Sequence, residues 1–320
     1  MPKIEHPWRE ITKFLGNEEA IPVLNSYGWA LTIQGQIETA EAILHYAAQL
    51  AEGYKQSGLQ ATSYHLLAQL WDAKGDYTHM TAALNHSFAL VENTPPLRWA
   101  IIWGRIHQAY VDIRWNQLHR AEERLKQLNE ELAGSDVFRS HRLSVQVGLG
   151  LVAMFNKNSD SLEQATRYFE KALTNYKNLY ASNYVAVYLS RARIKRKYGH
   201  LEDAQTDIMH AMSFAGERGM LADYITATVE AARFDRATAQ SHHIIPLLEQ
   251  LEAMASQSTL LPARLSIRLA LMNVFNQLEA TTEAEWYQRL ARTDCQTIAA
   301  SIPNIDDRVA YLARRDLKVL

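Results

Sequence analysis

Arginines recur at one spacing in the second half of the chain. Arg193 and Arg233 are 40 residues apart, and so are Arg196 and Arg236. With Arg114, Lys157 and Lys197 they make a basic set whose planar forks and ammonium groups suit a carboxylate or a phosphate. A second set, Trp29, Trp103 and Tyr110, is aromatic and suits an apolar group. Charge runs on helices are more often simply solvated, and Glu202, Asp203, Asp207, Glu230 and Asp235 are available to pair with the arginines. Both readings of the basic set stand at this point.

Catalytic patterns are missing. The sequence holds no GxxxxGK loop, no HExxH and no GxSxG. Gly148 and Gly150 fall inside an apolar helical run, where small residues allow close packing rather than cradle a phosphate. His242 and His243 are adjacent, and neighbours on a helix point about 100° apart, so they do not form a metal site on their own. Cys295 is the sole cysteine and reads as a small core residue. Carboxylate pairs such as Glu122–Glu123 and Glu130–Glu131 read as solvent-facing charge. The expectation is a non-enzyme without catalytic residues, metal or cofactor.

Net charge narrows the partners. With 33 Lys and Arg against 35 Asp and Glu, the chain has a net charge of −2, which argues against general nucleic-acid or membrane-surface binding. One cysteine gives no disulfide framework, and the opening residues MPKIEHPWREITKFLG lack the apolar core of a signal peptide. These features predict a soluble protein in a reducing, cytoplasmic setting.

The elements that position both residue sets come from a repeated template, clearest in Leu24 to Ala47. Gly35 marks a turn, Gly28 lies seven residues before it, and Ala40, Leu44 and Ala47 follow on one helix face. Small residues at Gly28 and Ala40 let two helices approach, with Leu44 filling the groove towards the next pair. Equivalents of Ala40 are Met80, Ala121, Ala165, Ala204, Ile244 and Ala284, and equivalents of Gly28 are Ala68, Ala109, Ala153, Ala192, Ala232 and Met272. The turn position reads Gly35, Gly75, Asn116, Asp160, Gly199, Ala239 and Glu279, of which five suit a helix end or tight turn. Seven copies in register define a repeat array with a period of about 40 residues.

Residues Trp71 to Ser87 (WDAKGDYTHMTAALNHS), followed by Pro95 and Pro96, and Lys197 to Ala211 (KYGHLEDAQTDIMHA) carry a resemblance to the tetratricopeptide repeat family. It covers residues 21 to 300. The period exceeds the family's usual ~34 residues, and long-period arrays of this kind look like the sensor arrays of bacterial signal-transduction ATPases and MalT-like transcription regulators. The resemblance implies an all-α, right-handed α-solenoid of about seven antiparallel helix pairs, with a capping helix over residues 1–20 and another over 301–320. In the latter, Asp306 to Leu317 reads as one helix. It further implies that first helices line a concave face, which would carry Trp29, Trp103 and Tyr110 in one half and Arg114, Lys157, Arg193, Arg196, Lys197, Arg233 and Arg236 in the other.

The reading is therefore a scaffold or sensor module that binds another protein or peptide, one with an acidic segment, in a bacterial signalling or transcription-regulating system. A small-molecule sensor with an aromatic-lined pocket is the alternative. An open groove would favour the first and an enclosed aromatic pocket the second.

Overall fold

The computed structural model describes residues 8–92, 98–135, 137–156, 159–175, 177, 179–237 and 241–320. Among them the regular secondary structure is helical throughout. A short α1 (Arg9–Leu15) precedes seven pairs: α2 (Asn17–Ile33) with α3 (Ile37–Gly53), α4 (Ser57–Lys74) with α5 (Tyr77–Val91), and α6 (Arg98–Arg114) with α7 (Leu118–Glu131). Then come α8 (Arg139–Asn156) with α9 (Ser159–Thr174), α10 (Ala181–Lys197) with α11 (Leu201–Glu217), and α12 (Leu221–Ala237) with α13 (Ile245–Gln257). The last pair is α14 (Leu261–Gln277) with α15 (Thr281–Ser301), followed by α16 (Ile305–Leu312) and a 3-10 turn over Arg315–Leu317. The closing segment is thus broken at Ala313–Arg314 instead of running as one helix to Leu317.

One turn chemistry ends most of these helices. Gly35, Gly75, Asn116, Gly199 and Glu279 all take positive φ, and each is followed by an amide that reaches back five residues, as in Gln36 N to Leu31 O at 2.9 Å. That is the Schellman arrangement, which closes a helix by satisfying its last carbonyls. Lys55, Gly219 and Thr259 do the same at the ends of second helices, so among the described residues these left-handed turns are spaced by about 20 positions or a multiple of it. Asp160 departs from the expectation. It lies in the first turn of α9, not in the turn before it. Ala239 is outside the described residues, as are Pro95 and Pro96.

The chain forms two compact units, residues 1–104 and 105–320. In the first, Gly28 on α2 lies under Leu44 of α3, close enough that a β-carbon would sit 2.7 Å from the leucine side chain. Leu44 thus closes its own pair directly. In the second, Phe169 of α9 lies over Gly150 of α8, where a β-carbon would come within 2.6 Å of the ring. The template aligned Ala153 with that position; the contact is one helical turn earlier. Gly148, two residues back, faces Leu125 and Tyr110, so both glycines permit close packing as expected. Burying a side chain like Phe169, which has no exposed surface, contributes about 2–3 kcal/mol.

Within each unit successive first helices pack on one another, α2 on α4 in the first and α8, α10, α12 and α14 in series in the second. Second helices do not approach each other as closely. The first helices therefore form the tighter, inner layer.

Candidate functional site

The sequence of α10, ASNYVAVYLSRARIKRK, ends in basic residues that helical geometry splits into two faces. Positions 191 and 195 lie on one side, and 193, 196 and 197 on another. The first face turns to α11. Arg191 grips the buried Asp207 with two bonds of 2.7 and 2.5 Å, and Lys195 approaches the same carboxylate at 3.0 Å. The second face turns to α12, where the chain has placed Glu230 with only 1% of its surface exposed.

Three guanidiniums converge on that carboxylate. Arg193 donates from Nε at 2.9 Å and lies 2.8 Å away at Nη2. Arg196 is at 3.6 Å and Arg233, one turn along α12, at 3.4 Å. Burial pushes the Glu230 carboxyl up, but Arg193, Arg233 and Arg196 overcome this and leave it at about 2. The three cations are not equally served. Glu230 raises Arg193 above its usual range against the cost of burial. Burial, with the like charge of Arg193, holds Arg233 below its usual range despite Glu230. Of the three, Arg233 is the one whose charge its surroundings favour least, Glu230 and Asp316 offsetting burial and Arg193 only in part.

The closing segment packs back on earlier helices of the same unit. Asn304 caps α16 by accepting from the amides of Asp306 and Asp307. Asp307, 6% exposed, accepts at 2.9 Å from both Gln117 Nε2, at the N-cap of α7, and Arg120 Nη1 on α7, some 190 residues earlier in the chain. Arg120 also holds the buried Asp112 of α6 at 2.6 Å. Further on, Arg314 donates to the main-chain oxygen of Arg114 at 3.4 Å, lies over the Tyr311 ring, and pairs with Asp316 at 2.6 Å. Burial raises the Asp316 carboxyl, while Arg314 and then Arg233 bring it below its ordinary range. Arg193 feels the same carboxylate. The last residues return to α15, whose Gln288 donates to Val319 O at 2.7 Å.

Of the basic residues singled out by spacing, Arg193, Arg196 and Arg233 are brought together. Arg114 ends α6 half-buried with its carbonyl accepting from Arg314, while Lys197 ends α10 exposed. Lys157 and the Arg236 side chain are outside the described residues, as is the Asp235 side chain. The offered counter-charges divide as well: Glu230 serves this cluster and Asp207 serves Arg191 and Lys195. The aromatic residues are not a single group. Trp103 stacks on the buried His65 ring at 3.8 Å in the first unit, with Trp99 at 6.3 Å. Trp29 is half-buried on α2. Tyr110 belongs to the second unit, where its hydroxyl donates to Ser144 O at 2.9 Å and burial raises its pKa further above the usual range. Sequence reasoning did not single out Asp307 or Arg314, and it placed Asp316 in a helix; Glu230 was visible only as one counter-charge among five. Its position three residues before Arg233 was the available signal. Nothing local marks Asp316.

Cys295 is buried, and burial raises its thiol pKa. Among the described residues no three His, Cys, Asp or Glu side chains cluster as metal ligands, and no helix is long and apolar enough to cross a membrane.

No protein-family model matches this sequence, and neither does any curated protein. A solved structure does match in fold. A Rap protein complexed with competence and sporulation factor superposes with a TM-score of 0.54 at 12% identity, over 88% of this chain and 99% of that one. The fold is a tetratricopeptide-type helical repeat. PilF of Pseudomonas aeruginosa gives a TM-score of 0.42 at 16% identity, over 86% of this chain and 99% of the other. At 12% identity the helical repeat is what is shared with the Rap protein; the arginine cluster must be judged on its own geometry.

Proposed function

We propose that this chain is a non-enzymatic scaffold or sensor that holds an acidic protein segment against the inner layer of its second unit. The observation that carries the reading is the convergence of Arg193, Arg196 and Arg233 on one buried carboxylate, with Arg233 left undercompensated. A cluster of forks built on two packed helices is rigid, and rigidity lowers the entropy cost of gripping a carboxylate. The Rap protein of like fold was crystallised with a separate factor, which supports a role in holding a partner. The long period supports placing the chain among the sensor arrays of bacterial signalling or transcription-regulating systems, in the cytoplasm.

The test uses a variant that keeps Arg193 to satisfy Glu230. Arg196→Ala with Arg233→Ala should leave helicity unchanged and weaken binding to an array of acidic peptides about tenfold or more. Charge-assisted hydrogen bonds contribute roughly 1.5–3 kcal/mol each. Binding of equal strength by the variant would remove the cluster as the site.

A further inference from the structure

The helices of the second unit pack in a circuit. α7 packs on α8, then α8, α10, α12 and α14 stack in series, α14 packs on α15, and α15 on α16. α16 returns to the start of that series: its Asp307 accepts from Gln117 and Arg120 at 2.9 Å, and beyond it Arg314 donates to Arg114 O at 3.4 Å. The main chains of α7 and α16 approach each other less closely than those of α15 and α16, so side chains make this join.

The join differs from the unit's other buried ion pairs in what separation leaves behind. Parting α10 from α11 strips the buried Asp207 of both Arg191 and Lys195. Parting α16 from α7 strands no buried charge. Arg120 lies between two carboxylates and keeps Asp112 through Nε at 2.9 Å and Nη2 at 2.6 Å, while Arg124 also reaches Asp112 at 3.3 Å. Asp307 comes free in the first turn of α16, where water and the helix dipole favour a carboxylate. The closing segment is also fastened to α15 at both ends. The Ile302 amide donates to Ala299 O at 3.2 Å, and Gln288 and Arg292 donate to Val319 O and Leu320 O at 2.7 and 2.8 Å.

We infer that α16 is a clasp that closes the second unit into a ring, and that the ring opens at this join, α16 leaving α7 while staying on α15. Opening turns the ring into an open array and widens the way to its inner layer. The inference stands apart from the proposed function, since the ring opens whatever the arginine cluster binds.

The test measures distances between spin labels on the full chain carrying Cys295→Ala. One pair of labels spans the join, at Glu123→Cys on α7 and Val309→Cys on α16, both exposed positions. A second pair, Trp286→Cys on α15 with Val309→Cys, reports whether α16 stays on α15. Asp307→Ala cuts the join and leaves Arg120 on Asp112. Losing charge-assisted hydrogen bonds should raise the population of a second, longer distance in the first pair about tenfold or more. The second pair's distance and the amide exchange of α8 to α14 should stay as they are without the substitution. An unchanged first pair would overturn the inference. So would a lengthened second pair, which means that α16 peels from α15, or faster exchange across α8 to α14, which means general loosening. Should α16 unfold in the variant, the intact join is read in salt. About 1 M salt screens the partly exposed Arg120, and the longer distance must gain population there or the inference fails.

Discussion

Glu230→Gln changes one charge and almost no volume, at the point where the second unit concentrates its electrostatics. The carboxyl lies at about 2 in the folded protein against an ordinary 4.5, and each pH unit of such a difference is worth 1.36 kcal/mol. Glu230 therefore contributes about 3 kcal/mol to folding at neutral pH. The sign follows from the depressed value. The contribution is complete above the unfolded value of 4.5 and drains away as pH falls towards 2. Arg193, Arg196 and Arg233 face the carboxylate, and Asp316 adds a second acid whose value is also depressed. In the variant the three guanidiniums repel one another without a central anion, which is why losing one partner of a buried cluster costs about 3–5 kcal/mol. Urea denaturation followed by circular dichroism should show the variant about 3 kcal/mol less stable at pH 7. The gap should narrow by about 2 kcal/mol at pH 3. A gap under about 0.5 kcal/mol at pH 7, or one that does not change with pH, would refute the reasoning.

Two further outcomes test other parts of the structure. Gly150→Ala places a methyl 2.6 Å from the fully buried Phe169 ring, and the overpacking should cost about 1–3 kcal/mol in thermal or urea unfolding. Asp223→Asn should act with the opposite pH sign to Glu230. Burial raises this carboxyl to about 6, with a bond from Ser182 opposing, so its ionisation destabilises the fold as pH rises from about 4 through 6. The variant should be more stable than wild type by about 2 kcal/mol at pH 7.5 and no more stable at pH 4, measured by urea denaturation.

The repeat was legible because its signals are local. Gly35, Gly75, Asn116 and Gly199 announce a left-handed residue in their own side-chain chemistry, and Ala40, Leu44 and Ala47 announce a face by spacing alone. Glu279 shows the limit: it takes φ of 59° with a side chain that does not ask for it, because the returning amide of Ala280 fixes the turn. The shift from Ala153 to Gly150 under Phe169 was not legible, since both residues are small and lie one turn apart. The site divides the same way. The spacing of Arg193 and Arg233 predicted that they would stack. That Glu230 would be sealed beneath them, and that Asp316 would arrive from far along the chain, depend on contacts between distant residues that no local pattern encodes.

The spacing of these left-handed turns, about 20 positions or a multiple of it, has a consequence for the ancestry of such a chain. A duplication or loss with breakpoints at two of these turns joins one helix end to another of the same backbone shape, so the junction itself is unstrained. An odd number of helices gained or lost would move every later inner helix to the outer layer and expose its apolar faces on both sides. An even number leaves each later helix in its own layer. Changes of length that survive should therefore come in steps of about 40 residues, the spacing that separates Arg193 from Arg233.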